Sequence, residues 1–195
     1  MINDKPPWRE QEFWRANTYQ LLANLLIKPP DNRLVAQLGE IPPAYLDNQE
    51  DSVAVAWCGL GEAARRVQEA DLISEYGVIF NENGGRLVPR ASRYLDNLPN
   101  ANPLGLLRAE LAGLGIEKNP EVLEDHAGFL CKIMCRLIEA EDPRQIGFFS
   151  RHLKSWLPVF FRDLRQLPVA DFYRPVGLLG EAFIEVERIL LRETY

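Results

Sequence analysis

The stretch Asn119–Leu167 restricts the fold of this chain more than any other. It holds Asn119-Pro120, an apolar run carrying Asp125-His126, then Asp142-Pro143 and a second apolar run carrying His152 and Trp156. A capping side chain followed by proline at the first helical position is a helix-opening signal, and it occurs here twice. After the first, Val122, His126, Phe129, Leu130, Ile133, Met134 and Leu137 recur at three- and four-residue steps, one face of a helix. After the second, Ile146, Phe149, Leu153, Trp156, Leu157, Phe160 and Leu164 do the same, with His152 on the flank. Pro158 falls inside this second helix and removes the bond to the Lys154 carbonyl, which predicts a kink or break. On this spacing His126 sits within the apolar stripe, and Asp125 at its edge can reach solvent.

The rest of the chain has the same periodicity. Trp8–Lys28 reads as a helix apolar over most of its circumference, with Trp14, Thr18, Tyr19, Leu21, Leu22, Ala23, Leu25 and Leu26, and such a helix is buried. Its remaining strip, Asn17, Gln20 and Asn24, is either a solvated seam or a groove wall for an extended peptide. Pro29-Pro30 ends it, and Arg33–Leu38 predicts a short helix. From Gln49 to Phe80 the residues favour helix, with an interruption expected at Gly59–Gly61. Asn81–Pro89 reads as a loop around Gly84-Gly85. Asn102-Pro103 opens a helix through Leu114 that Gly115 closes, and Val176–Glu193 is amphipathic, with Leu179, Phe183, Val186 and Leu190 facing in. With no alternating strands, the expectation is an all-α single domain over 1–195 with about seven to nine helices, residues 1–7 being disordered.

Composition enters by exclusion. A net charge of −6 argues against a nucleic-acid binder, which needs a basic surface. Three cysteines without disulfide-type spacing point to a reducing compartment. No run approaches the roughly 20 apolar residues of a membrane span, and Met1–Arg9 has no secretory-type apolar run. A cytoplasmic protein without membrane insertion is expected.

Several patterns bear on chemistry. Gly59-Leu60-Gly61-Glu62-Ala63-Ala64 matches a dinucleotide fingerprint after the strand-like Val53–Trp57, but that motif needs a parallel sheet that the chain does not supply. Cys131 and Cys135 lie one helical turn apart and offer two corners of a metal site; Ala127 and Gly128 on the same face point instead to close packing around inert thiols. No metal and no cofactor is expected. Neighbouring residues of a helix point about 100° apart, so Asp125 and His126 do not form a base–orienter pair. His126 reads as either a hydrogen-bonded core histidine or a ligand-binding group.

Four segments, in order, are similar to one family. Tyr19-Gln20-Leu21-Leu22-Ala23 up to Pro29-Pro30 is similar to its opening helix. Glu75-Tyr76 to Phe80, with Pro89, Ser92 and Tyr94, resembles its central segment, Glu124-Asp125-His126 the end of its E-P-x-D-H signature, and Phe149 with His152, Leu153 and Trp156 its F-x-x-H-L-x-x-W helix. The family is that of the TorD/DmsD/NarJ-type chaperones of molybdenum oxidoreductases. The sequence departs from its pattern at Leu123, where proline is usual, at Arg90, where an acidic or polar residue is usual, and at Asn83-Gly84-Gly85.

The resemblance implies an all-α chaperone without catalysis. Its partner would be the apo catalytic subunit of a molybdenum oxidoreductase, whose N-terminal twin-arginine-type signal peptide it holds in the cytoplasm until cofactor insertion. Asp125 and His126 match positions implicated in binding that peptide, with Glu124 beside them. Tyr76, Phe80, Tyr94, His152 and Trp156 match positions lining or supporting the same groove. The resemblance is silent on the client and on monomer against domain-swapped dimer. The alternatives are a helical adaptor with no export role and a dinucleotide-binding enzyme using Gly59–Ala64.

Overall fold

The structure, a computed structural model, describes residues 7–42, 52–81, 84–95, 103–117 and 123–192. These form ten helices: α1 (Pro7–Ile27), α2 (Asn32–Gly39), α3 (Ser52–Arg66), α4 (Glu69–Phe80), α5 (Ala91–Leu95), α6 (Pro103–Gly113), α7 (Ala127–Glu139), α8 (Arg144–His152), α9 (Leu157–Gln166) and α10 (Tyr173–Leu190). No strand occurs among the described residues beyond an isolated antiparallel bridge between Arg90 and His126. The fold is all-α, with more helices than the periodicity suggested because two predicted helices are divided and the short α5 had no legible period.

The divisions have local causes. Pro158 occupies the first turn of α9, where its missing N–H is harmless, and α8 stops at His152. The expected break is therefore present. The interruption expected at Gly59–Gly61 is not: α3 runs through both glycines and the chain breaks at Val67-Gln68. A Cβ at Gly61 would lie 3.1 Å from Ile41 Cβ, so this glycine allows close approach to the end of α2 rather than a turn. Because Val53–Ala64 is helical throughout, the strand–turn–helix setting of a dinucleotide fingerprint is missing.

The core is built around α1, α7 and α10. Helix α1 lies along α7, and α10 packs against α9 and α3. The small-residue face of α7 serves the first contact: a Cβ at Gly128 would fall 2.7 Å from Ile27 Cγ1. Cys131 and Cys135 share that buried face. Burial pushes both thiols up, Cys135 to about 11, which disfavours the thiolate a metal needs. Among the described residues no three His, Cys, Asp or Glu side chains cluster as a metal site. The Asn17–Gln20–Asn24 strip faces solvent, with Asn17 Nδ2 donating to the Phe13 carbonyl and Gln20 Nε2 to Asn24 Oδ1. No helix among the described residues is long and apolar enough to cross a membrane.

Inside this core is an ion pair that the sequence analysis did not single out. Arg15 on α1 donates through Nη2 to Glu187 Oε2 of α10 at 2.8 Å and through Nε to the other carboxylate oxygen. Tyr19 Oη donates to the same carboxylate at 3.0 Å, and Glu12 receives Arg15 Nη1. The signal was present: Arg15 falls in register with Tyr19 and Leu22, and Glu187 with Phe183, so each charge lies on an apolar face.

Candidate functional site

The residues around Asp125 are placed by a short antiparallel crossing. The Ala91 amide donates to the Asp125 carbonyl at 3.0 Å, and the Ala127 amide donates to the Pro89 carbonyl at 2.8 Å. This fixes the entry to α5 beside the entry to α7. Asp125 and His126 precede α7 instead of riding on it; the predicted start at Asn119-Pro120, with Val122, lies outside the described residues.

The expected exposures of this pair are reversed. Asp125 is buried, and His126 is the more accessible of the two. The reason is that each side chain closes a chain end. Asp125 Oδ2 accepts from the Ser92 amide at 3.0 Å, in the first turn of α5, while Oδ1 accepts from Arg90 Nε at 3.1 Å. Burial alone would raise the Asp125 carboxyl, but the Ser92 and Arg90 bonds outweigh it and hold it below its usual range. His126 caps α7: its Nδ1 accepts from the Gly128 amide at 3.1 Å, which requires an unprotonated nitrogen. Burial lowers the imidazole to about 4, the Asp125 charge only partly opposing this. Glu124, also buried, takes Arg108 of α6, with Nε 3.1 Å from Oε1.

Asp125 borders an open cleft of about 210 Å³ between α5, α6, α7 and the end of α8. Its walls are Ala91, Leu95, Leu104, Leu106, Leu107 and Leu130, with Ser92, Arg151, His152 and Ser155 at the edge. Leu106 is 65% exposed, so the apolar wall continues onto the surface. His152 crosses the far side: its Nε2 lies 2.8 Å from Glu110 Oε2 of α6, and Arg151 Nη2 donates to Glu110 Oε1 at 2.6 Å. Burial lowers the His152 imidazole despite Glu110, so at neutral pH it is an uncharged donor to that carboxylate. Burial also pushes the Glu110 carboxyl up, but the bonds from Arg151 and His152 bring it below its usual range.

The other predicted site residues divide into two groups. Trp156 and Tyr94 support the cleft from below: their rings lie 5.5 Å apart, Trp156 Nε1 donates to the His152 carbonyl at 2.6 Å, and Tyr94 Oη lies 3.3 Å from Asp163 Oδ2. Tyr76 and Phe80 stand elsewhere, in an aromatic cluster with Tyr173. Tyr76 Oη donates to the Leu26 carbonyl at 3.1 Å, and neighbouring Glu75 accepts from the Asp171, Phe172 and Tyr173 amides at the start of α10. This segment fastens α4 to α1 and α10 and does not line the cleft. Sequence reasoning missed Glu110, Arg151, Ser155 and the leucines of α6. The leucines carry a usable signal, since Leu104, Leu106 and Leu107 cover too much of a short helix for one buried face.

An all-helical scaffold frames this arginine-edged apolar cleft. A family model described as nitrate reductase delta subunit matches residues 46–162, which include every wall of the cleft. The chain belongs to that family, the TorD/NarJ group. Chaperone protein TorD of Vibrio cholerae serotype O1 (strain ATCC 39541) is 26% identical over 203 residues, covering 92% of this chain and 92% of that protein. Chaperone protein TorD of the El Tor Inaba N16961 strain is 27% identical over 157 residues, 70% of this chain and 71% of that protein.

Proposed function

We propose that this protein is a maturation chaperone for a molybdenum oxidoreductase. It binds the N-terminal, twin-arginine-type leader of the apo catalytic subunit in the cytoplasm and holds it until the cofactor is inserted. The cleft between α5, α6, α7 and α8 takes the leader. The observation that carries this reading is a half-open apolar wall with a buried carboxylate at its edge, within a chain of the TorD/NarJ group. A leader offers arginines followed by an apolar segment, and the cleft offers Asp125 followed by Leu95, Leu104, Leu106 and Leu107.

The chemistry required is reversible binding. Apolar contact supplies most of the affinity, and the carboxylate fixes direction and register. Calorimetric titration with a synthetic twin-arginine leader peptide tests the assignment. Leu106→Glu, at an exposed wall position, should weaken binding at least about tenfold, because a carboxylate then faces the peptide's apolar segment. Its melting temperature should stay near that of the parent chain. Undiminished binding by Leu106→Glu would move the leader to another surface.

A further inference from the structure

We propose that Arg90 is a built-in occupant of the place a client arginine takes, and that the leader docks by exchanging its own guanidinium for that of Arg90 on Asp125. This deepens the proposed function and rests on the cleft being the leader site. The Asp125 side chain is 3% exposed, so its charge needs a partner whether or not a client is present. In the free chain Arg90 supplies it, through Nε alone at 3.1 Å, from a side chain that is 34% exposed. A two-pronged guanidinium–carboxylate fork is stronger than such a single contact, so an incoming arginine has an arrangement to gain.

The carboxylate is suited to the exchange. Ser92 holds Oδ2 from the backbone, so Asp125 stays in place while the guanidinium on Oδ1 changes. The other pairs near the cleft are less suited. Glu110 is gripped by two nitrogens of Arg151 and by His152, and Glu124 does not border the cleft. The exchange makes Arg90 a selectivity device. An arginine-free apolar segment has nothing to set against the Arg90 pair, whereas an arginine-bearing leader replaces like with like. Competition from Arg90 also weakens the leader's apparent affinity, which keeps release within reach.

The experiment uses two peptides, the twin-arginine leader and the same peptide with both arginines replaced by glutamine. Each is titrated into the parent chain, Arg90→Ala, Arg90→Gln and Asp125→Asn. Arg90→Ala and Arg90→Gln should bind the arginine peptide about tenfold more tightly than the parent, with the glutamine peptide unchanged. Their melting temperatures should fall without peptide and recover on adding the arginine form. Asp125→Asn keeps an acceptor for the Ser92 amide but loses the charge, and should lose the preference between the peptides. If the arginine peptide binds both Arg90 variants no more tightly than the parent, while Leu106→Glu still disrupts binding, the exchange is wrong and the leader site stands. If neither peptide binds the parent or the Arg90 variants, the site assignment fails, and the exchange with it.

Discussion

Arginine–carboxylate pairs occur in two regions of this molecule, and they are built differently. Between α1 and α10, Arg15 and Glu187 are both enclosed, with side chains 3% and 0% exposed. In and beside the α5–α8 region, the carboxylates of Asp125, Glu124 and Glu110 are 3%, 6% and 20% exposed, while Arg90, Arg108 and Arg151 are 34%, 48% and 56% exposed. The core pair has lost its water on both sides; Tyr19 also donates to Glu187, and Glu12 is the second carboxylate that Arg15 meets. In this second region each arginine keeps access to water on leaving, and the cost of its departure falls on the carboxylate left behind, which a second guanidinium can meet. Burial of one partner or of both therefore separates a fixed strut from an exchangeable contact.

The sharpest way to break this comparison is to remove a carboxylate from the core. Glu187→Ala leaves Arg15 enclosed with only Glu12 to receive it, and Tyr19 loses its acceptor. Breaking a buried pair on one side destabilises by roughly 3–5 kcal/mol, and the half-exposed Glu12 should bring the loss toward the lower figure. Urea unfolding of parent and variant measures it. A loss under about 1 kcal/mol would place this pair with the exposed ones.

The two regions should also respond differently to acid. His152 lines the cleft and His126 follows Asp125 at its edge, and both are shifted down. For His126, burial brings the folded value down to about 4 from the ordinary 6.5. The unfolded chain therefore binds the proton first as pH falls, and stability rises with pH through this window. The contribution is complete above the unfolded value and is lost between about 6.5 and 4. The expected loss from pH 7 to pH 5 is on the order of 1–2 kcal/mol. His126→Asn should flatten this dependence, since asparagine caps α7 without titrating. His126→Ala should flatten it too but lose the cap, a further cost of about 1 kcal/mol. Denaturant midpoints at several pH values test both. An unchanged slope in His126→Asn would assign the acid response to His152 and Glu110.

Local periodicity makes much of the fold legible in the sequence, whereas the places where chain ends meet depend on tertiary neighbours. The buried faces of α1, α7 and α10 and the break at Pro158 follow from local spacing. Asp125 and His126 were identified as a pair but placed on a helix, because the apolar rhythm of α7 carries backwards through His126. Only the Pro89–Ser92 strip crossing from another part of the chain shows why the helix starts later. The glycines of α3 misled for a similar reason: Gly61 answers to Ile41, a tertiary neighbour that local propensity does not contain. The apolar cleft was legible only as an excess of leucine in α6, since its other walls come from α5, α7 and α8. The segment Glu75–Phe80, expected to line or support the groove, fastens three helices and does not reach the cleft.

The smallest expected effect sharpens the comparison from the exposed side. Arg151 grips Glu110 with two short bonds, 2.6 Å and 2.9 Å, both shorter than the single 3.1 Å bond from Arg90 to Asp125. By geometry alone Arg151→Ala would be severe. Burial argues the opposite: Arg151 is more than half exposed, its departure returns water to Glu110, and His152 Nε2 remains as a donor to that carboxylate. Exposed pairs of this kind contribute about 0–1 kcal/mol, screened by salt. Arg151→Ala should therefore lower stability by less than about 1 kcal/mol, and the difference from the parent should shrink further in concentrated salt. Paired urea titrations at low and high ionic strength measure both quantities. A loss approaching that of Glu187→Ala, insensitive to salt, would mean that bond geometry rather than two-sided burial separates the struts of this fold from its exchangeable contacts.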